Sequence, residues 1–310
     1  MYSYNLTQWM FFFYFYSLFG WCFESAYVSM RKKRFVNRGF MRGPFLPLYG
    51  SGAIMMLVVS MPVRGNLVLT YVAGCIGATV LEYVTGVTME TLFKVRYWDY
   101  SNQEFNYKGQ ICLSSTIAWG FLTILMTDFV HKPIERFALT IPMSILSPVV
   151  TVLTVAIVVD FTLSFKAALD LRDVLVKLEK VREEMEHMQK RLDVIIAVAD
   201  EEIGRRISEK RKSYANRSEE LQNGLEECFR GLKEQLMDRK GSLSDELREE
   251  LSELRMKFAS IKERNQQLSS VRDFYRRHLI LDNPTMRSEK FREALEELKQ
   301  AAAQHKKRSK

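Results

Sequence analysis

Residues 67–93 read LVLTYVAGCIGATVLEYVTGVTMETLF, and Glu82 and Glu90 are the only charged residues in this run. A helix of about 20 mostly apolar residues is long enough to cross the ~30 Å hydrocarbon core of a bilayer. The sequence therefore predicts a membrane-spanning helix from about Leu67 to Phe93, and the rest of the first half is interpreted around it.

Four further apolar stretches have the composition of membrane spans. They run from about Leu6 to Met30, Phe45 to Met61, Gln110 to Val130, and Ala138 to Phe165. Pro142 and Pro148 lie in the last stretch, so we expect a kink there. No basic residue precedes the first stretch and no small-residue cleavage site follows it, which favours a spanning helix over a removable signal peptide.

Charge divides the chain into two unlike halves. Residues 1–163 contain 12 of the 45 Lys and Arg residues and 8 of the 37 Asp and Glu residues. In the remainder, acidic and basic residues alternate, which is typical of a solvated helical surface, so no nucleic-acid partner is expected. The predicted class is all-α: a five-helix transmembrane bundle over residues 1–165, followed by a cytoplasmic coiled-coil or helical tail.

The loops between the spans indicate their orientation. The first loop carries six basic residues and no acidic one: Arg31, Lys32, Lys33, Arg34, Arg38 and Arg42. The second loop carries only Arg64, and the third is again more basic. Because basic loops remain in the cytoplasm, we expect a multi-pass cell-membrane protein with its N-terminus outside and its C-terminus cytoplasmic.

The tail contains a heptad repeat. Its apolar positions are Leu171, Val174, Leu178, Val181, Met185, Met188, Leu192, Ile195 and Ala199. About four such heptads predict a first coiled-coil helix, assigned to residues 166–240. Gly241 interrupts the pattern, and residues 241–310 are predicted to form a second helical segment, a turn at Asn283-Pro284 and a short final helix. An intrachain hairpin and a homo-oligomer or other helical partner remain alternatives.

Intramembrane carboxylates are the main candidates for a functional site. Glu24, Glu82 and Glu90 lie late in spans that run from outside to inside, so they gather in the cytoplasmic part of the bilayer. Buried carboxylates are costly in a membrane, and we predict a substrate or ion path along these three residues. The alternative is that they pair with Arg38 or Arg42 and only fasten helices together.

Polar residues of two loops are expected at the same level of the membrane. They are Asn37, Arg38, Arg42, Trp98, Asp99, Tyr100 and Asn106. The first three precede a short helix whose N-terminus could bind an anion such as a lipid phosphate, and a simple membrane-entry turn is the alternative. The aromatic residues are typical of an interfacial belt.

These same motifs resemble the putative ABC-transporter type IV permease family of bacterial membrane proteins. The similarity rests on Gly20-Trp21 with Glu24, on the Asn37–Gly52 run, on Glu82 with Gly86 and Glu90, and on Trp98-Asp99-Tyr100-Ser101 with Asn106, Gly109 and Cys112. It covers about residues 10–137. The resemblance implies a permease-like membrane component that works with a separate cytoplasmic ATPase.

Other functions are weighed against this one. The chain has no G-x-x-x-x-G-K-[ST] phosphate loop, so it is not expected to be an ATPase itself. Its four cysteines and scattered histidines lack ligand spacing, so we predict no metal, no cofactor and no catalytic residue. The main alternative is a membrane-anchored coiled-coil scaffold or sensor, and a lipid-modifying membrane enzyme is a third. The lipid bilayer is a partner in all three.

Overall fold

The computed structural model describes residues 4–199, 222–230, 245–269 and 274–308. It is 80% helical with almost no strand, which confirms the predicted all-α class. Ala199 has no described side chain, and the predicted break at Gly241 lies outside the described residues.

The first three helices follow the predicted spans closely. They are α1 (Leu6–Lys32), α2 (Pro47–Ser60, continued by a 3-10 turn at Met61–Val63) and α3 (Leu67–Phe93). Asn5 begins α1 with a capping box in which its side chain accepts from the Gln8 backbone N–H, and Asn66 caps α3 by accepting from the Leu69 N–H. Lys33 and Lys94 end α1 and α3 in the left-handed conformation.

The boundary between the fourth and fifth predicted spans differs from the sequence interpretation. Helix α4 (Leu113–Leu125) continues through a π-helical turn (Met126–Val130) into α5 (His131–Thr140). Helix continues here because Lys132 pairs with Asp128 one turn earlier, so its charge does not require a loop. The break comes instead at Ile141, which is extended because Pro142 follows it. Helix α6 (Met143–Ala199) then runs without interruption past Pro148.

Three of the described helical stretches are long and apolar enough to cross a membrane. They are Leu67–Phe93, Leu113–Thr140 and Met143–Ile195, and Pro47–Val63 is a shorter apolar helix. Helix α1 has the length of a span, but its many Tyr and Trp residues make it less apolar. Five spans therefore stay a prediction.

Glycines allow the membrane helices to approach closely. A Cβ on Gly50 of α2 would lie 2.6 Å from the Phe13 carbonyl oxygen of α1, and a Cβ on Gly74 of α3 would lie 2.5 Å from Cβ of Thr123 on α4. Such small-residue crossings are typical of helix packing in membranes, where close van der Waals contact replaces the hydrophobic effect. Gly50 thereby brings α2 close to α1, and Gly74 brings α4 close to α3, the helix that carries Glu82 and Glu90.

A small antiparallel hairpin joins α3 to α4. Strand β1 (Asn106–Tyr107) pairs with β2 (Ile111–Cys112), and Gly109 makes the turn with a φ of 68°. Asn106 fixes the turn because its side chain accepts from the Gly109 N–H at 3.1 Å.

The chain forms two compact units. The first comprises residues 1–171 and 273–289, and the second comprises residues 172–272 and 290–310. The C-terminal helices are α7 (Asp245–Ser269), α8 (Phe274–Asp282) and α9 (Arg292–Arg308), and residues 222–230 are also helical. Residues 274–289 thus belong with the membrane half, although the sequence analysis assigned them to the tail.

The second unit has an apolar core of its own. The heptad residues Val181, Met185, Met188, Leu192 and Ile195 of α6 are buried against residues of α7 and of the 222–230 helix. Arg191 of α6 also pairs with Glu250 of α7 at 3.1 Å. These contacts lie within one chain, as an intrachain hairpin requires. A coiled coil and a partner through the tail stay predictions.

Candidate functional site

Glu82 is the most enclosed of the three predicted carboxylates, and its residue is 7% exposed. Its Oε1 accepts from the Tyr100 hydroxyl at 2.8 Å, and its Oε2 accepts from the Trp119 indole N–H at 2.9 Å. The Ser115 hydroxyl lies 3.4 Å from Oε2. In the part of the chain that the structure describes, no cation lies within ion-pair distance of Glu82. The carboxyl is therefore held by neutral donors.

Glu90 lies two turns further along α3 and has a cationic partner. Its Oε1 accepts from Arg96 Nε at 2.7 Å, and its Oε2 accepts from the Gln110 side-chain amide at 2.5 Å. Gly86 leaves the space for Gln110, because a Cβ there would overlap the Gln110 side chain and lie 3.1 Å from Trp98. Trp98 in turn donates to the Gln110 carbonyl at 3.0 Å.

Glu24 of α1 is also bound to an arginine. Its Oε1 lies 3.5 Å from Arg38 Nε, and its Oε2 accepts from the Tyr49 hydroxyl of α2 at 2.8 Å. The Arg38 backbone N–H donates to Ser25 Oγ at 3.1 Å, which fixes the first loop against α1. The predicted ion pair with Arg38 is therefore present for Glu24.

The first loop is folded by polar contacts within the membrane half. Asn37 accepts from the Trp21 indole N–H and donates to the Arg42 carbonyl at 2.6 Å. The Gly43 N–H donates to Asp160 Oδ2 at 2.8 Å, which joins the loop to α6. Asp160 lies within the fifth predicted span, and its carboxylate satisfies a backbone donor of the loop.

The loop after α3 carries the other predicted polar residues. Asp99 Oδ1 accepts from the backbone N–H of Ser101 at 2.9 Å, and its Oδ2 lies 3.2 Å from Arg287 Nη1. Burial alone would raise the pKa of Asp99, but the hydrogen bonds from Ser101 and the charge of Arg287 outweigh it and lower that pKa below its usual value. Asp99 is thus held as a carboxylate on the loop surface.

Tyr100 connects this loop to Glu82, to which its hydroxyl donates. Burial raises the pKa of Tyr100 above its usual range, and the charge of Glu82 raises it further. Tyr49, which holds Glu24, is close enough to add to the rise. The hydroxyl therefore stays protonated and remains a donor to Glu82.

A segment from near the C-terminus completes the site. Residues 283–289, which we call the return segment, lie against both loops within the first unit. Arg96 and Arg287 form an antiparallel bridge, in which the Arg96 N–H donates to the Arg287 carbonyl at 2.6 Å and the Arg287 N–H to the Arg96 carbonyl at 2.9 Å. The predicted turn at Asn283-Pro284 is confirmed, because the Met286 N–H donates to the Asn283 carbonyl at 3.0 Å.

A comparison with known families identifies the class of protein to which the chain belongs. A family model described as Putative ABC-transporter type IV matches residues 11–165. The chain belongs to this family. No curated protein and no solved structure is similar enough to match. The name of the family and the apolar helices indicate an ABC-transporter-related membrane protein.

The family match covers every residue of the predicted site. Glu24, Glu82 and Glu90 lie within residues 11–165 of this ABC-transporter type IV chain, and so do the loop residues from Asn37 to Asn106. The return segment lies outside the matched region. It is thus an addition to the part of the chain that defines the family.

Several contact residues were not identified from the sequence. They are Tyr49, Arg96, Gln110, Ser115, Trp119 and the return segment. Trp119 could have been suspected as a polar-edged aromatic residue on an otherwise apolar helix. Periodicity gives no signal for the return segment, because its partners lie roughly 190–250 residues away in sequence.

Proposed function

We propose that this chain is the membrane subunit of an ABC-type transport system that works with a separate cytoplasmic ATPase. Family membership supports the class of protein, and the missing phosphate loop requires that nucleotide hydrolysis be supplied by another chain. In this proposal the N-terminus lies outside, five helices span the bilayer, and the tail is cytoplasmic.

The buried carboxyl of Glu82 carries the proposal for the site. A carboxyl group placed among apolar helices is costly and is retained where it serves a substrate, an ion or a proton. Glu82 is held by Tyr100 and Trp119, whose donors leave its charge uncompensated. Glu24 and Glu90 flank it with their charges already paired by arginines. Glu82 is therefore the member of the set best suited to meet a cationic substrate or a proton.

A scaffold or sensor is the second candidate function. Its support is the apolar core of the second unit, which is formed by residues of that unit alone. In that case the tail would recruit partners without any transport. Enzymatic activity of the chain itself is not part of either proposal.

The first experiment is purification of the intact chain in mild detergent, with identification of the proteins that remain bound. The transport proposal expects a nucleotide-binding protein, and expects ATP turnover in proteoliposomes to require both chains. Consistent recovery of other proteins, with no nucleotide-binding protein among them, would instead support the scaffold.

The second experiment tests the role of Glu82. We expect E82Q to lower the coupled ATP turnover while leaving partner recovery unchanged. The matched control is E104Q, because Glu104 is exposed in the loop after α3 and undergoes the same chemical change. Equal turnover of the wild type and E82Q would remove Glu82 from the proposed path.

A further inference from the structure

Two arginines of the first unit are bound in the same way. Arg38 uses Nε for the Glu24 carboxylate, and Arg96 uses Nε for the Glu90 carboxylate. Both side chains are largely buried, with 14% and 11% exposed. Because each arginine uses Nε for its carboxylate, its two terminal nitrogens are left for other acceptors.

The return segment supplies the acceptors for those terminal nitrogens. Arg38 Nη1 donates to the Asn283 side chain at 3.2 Å, and Nη2 donates to Thr285 Oγ1 at 2.8 Å. Arg96 Nη1 lies 2.7 Å from Glu289 Oε1. A guanidinium group is a planar fork, so fixing its terminal nitrogens also fixes the direction of Nε. The segment thereby orients both arginines toward the carboxylates.

The side chain of Asn283 is buried and forms hydrogen bonds with several groups around it. It is 2% exposed, and its amide donates to the Gly39 and Leu279 carbonyls at 3.0 Å each. Thr285 also donates to the Tyr97 carbonyl at 3.2 Å, and Ser288 donates to the Lys94 carbonyl at 2.7 Å. The segment therefore docks through these polar contacts and through Met286, which is 0% exposed.

We propose that the return segment is a latch that holds Arg38 on Glu24 and Arg96 on Glu90, and that its release frees both membrane carboxylates. Helix α8 of the first unit precedes the segment, and the chain passes from the segment directly into the second unit at Lys290. A change in the helices of the second unit, such as the binding of a partner, would therefore act on the segment from its C-terminal end. The latch is inferred from contacts within the chain. It goes beyond the transport proposal and does not depend on it.

The experiment uses the full chain in lipid nanodiscs and compares the wild type with T285V. This nearly isosteric change removes the acceptor for Arg38 and the donor to Tyr97 at an exposed residue, so the fold is expected to survive. T162V is the matched control, because Thr162 bonds only within its own helix. N283A is the stronger variant.

Two readouts are combined. Hydrogen exchange is measured for the amides of Arg96 and Arg287, which pair across the bridge, and we expect exchange about tenfold or more faster at both in T285V and N283A. Labelling by a hydrophobic carbodiimide, located by mass spectrometry, is expected to rise several-fold at Glu24 and Glu90. Labelling of Glu82 is expected to be unchanged, because its donors do not belong to the segment.

The two readouts distinguish a latch from a structural tether. Faster exchange at both amides with raised labelling of Glu24 and Glu90 supports the latch. Faster exchange without any rise in labelling would overturn it, because the arginines would then hold the carboxylates without the segment. A rise at Glu82 of the same size would also overturn it, since that pattern reports general loosening of the membrane half.

Discussion

Replacement of Glu82 by alanine or by glutamine gives the sharpest prediction for the membrane half. Alanine leaves the hydroxyl of Tyr100 and the indole N–H of Trp119, two half-buried residues, without an acceptor, whereas Ser115 keeps the Cys112 carbonyl at 2.9 Å. A buried unsatisfied donor costs about 1–3 kcal/mol, so two half-buried ones predict that E82A lowers the free energy of unfolding by about 2 kcal/mol or more. The cavity left by the shorter side chain adds to this loss.

Glutamine is expected to cost far less because its amide can form a hydrogen bond with each of the two residues. Its oxygen can accept from the indole N–H of Trp119, which only donates, while its NH₂ faces Tyr100, whose hydroxyl can also accept. The remaining loss in the free energy of unfolding is about 1 kcal/mol, because a charge-assisted hydrogen bond is replaced by a neutral one. E82Q should therefore be clearly more stable than E82A.

The assay is equilibrium unfolding in mixed micelles, monitored by tryptophan fluorescence. Trp119 and Trp98 lie at the site and contribute to this signal. Y100F serves as a second variant that removes one donor and keeps the carboxyl. A free energy of unfolding of E82A within about 0.5 kcal/mol of the wild type would refute the account of Glu82. Two donors left without an acceptor beside a residue that is 7% exposed should cost more than that.

Three further predictions follow from other contacts. G50A should destabilise the packing of α1 on α2 by about 1–3 kcal/mol, because the new Cβ would lie 2.6 Å from the Phe13 carbonyl oxygen. G52A is the control: nothing lies within 4 Å of its Cβ, so it should be neutral or slightly stabilising in the same unfolding assay. Because the pKa of Asp99 is lowered in the folded state, its contribution to stability is fully present above the ordinary Asp pKa and is lost as the pH falls through the folded-state pKa. D99N should therefore weaken the loss of stability with falling pH below about pH 4, measured as the free energy of unfolding against pH. The same loss of stability in D99N and the wild type would contradict this. L192A, at a residue 1% exposed, should cost about 2–5 kcal/mol, measured as loss of helical circular dichroism on heating, while V194A at a 64% exposed position should cost little.

The sequence was sufficient for features that depend on local pattern. Hydropathy predicted α3 with its observed ends, and the heptads identified residues such as Met185 and Leu192 that are buried. The eight-residue separation of Glu82 and Glu90 also puts both carboxylates on one face of a helix. Loop charges were less informative about helix ends. Lys132 suggested a loop, but it lies on a continuous helix because its partner Asp128 is one turn away.

Contacts between distant parts of the chain could not be predicted in the same way. Periodicity gives the face of a helix but not its rotation against a neighbour, so it could not indicate that Trp119 of α4 meets Glu82 of α3. Arg96 was counted only as a loop charge, although it pairs with Glu90. The return segment has no pattern beyond a turn signal, and its partners in the loops are set by the tertiary fold alone.

The central claim is that the carboxylates, the hairpin loop and the tail share the cytoplasmic side, where a separate ATPase could reach them. The most direct measurement is labelling of single cysteines by a membrane-impermeant thiol reagent, in a chain whose four native cysteines are replaced. Two exposed positions at opposite ends of the helices serve as reporters, E104C in the loop after α3 and T140C before Pro142. The account predicts labelling of E104C only in inside-out vesicles and of T140C only in right-side-out vesicles. The reverse pattern, or labelling of both from one side, would contradict it.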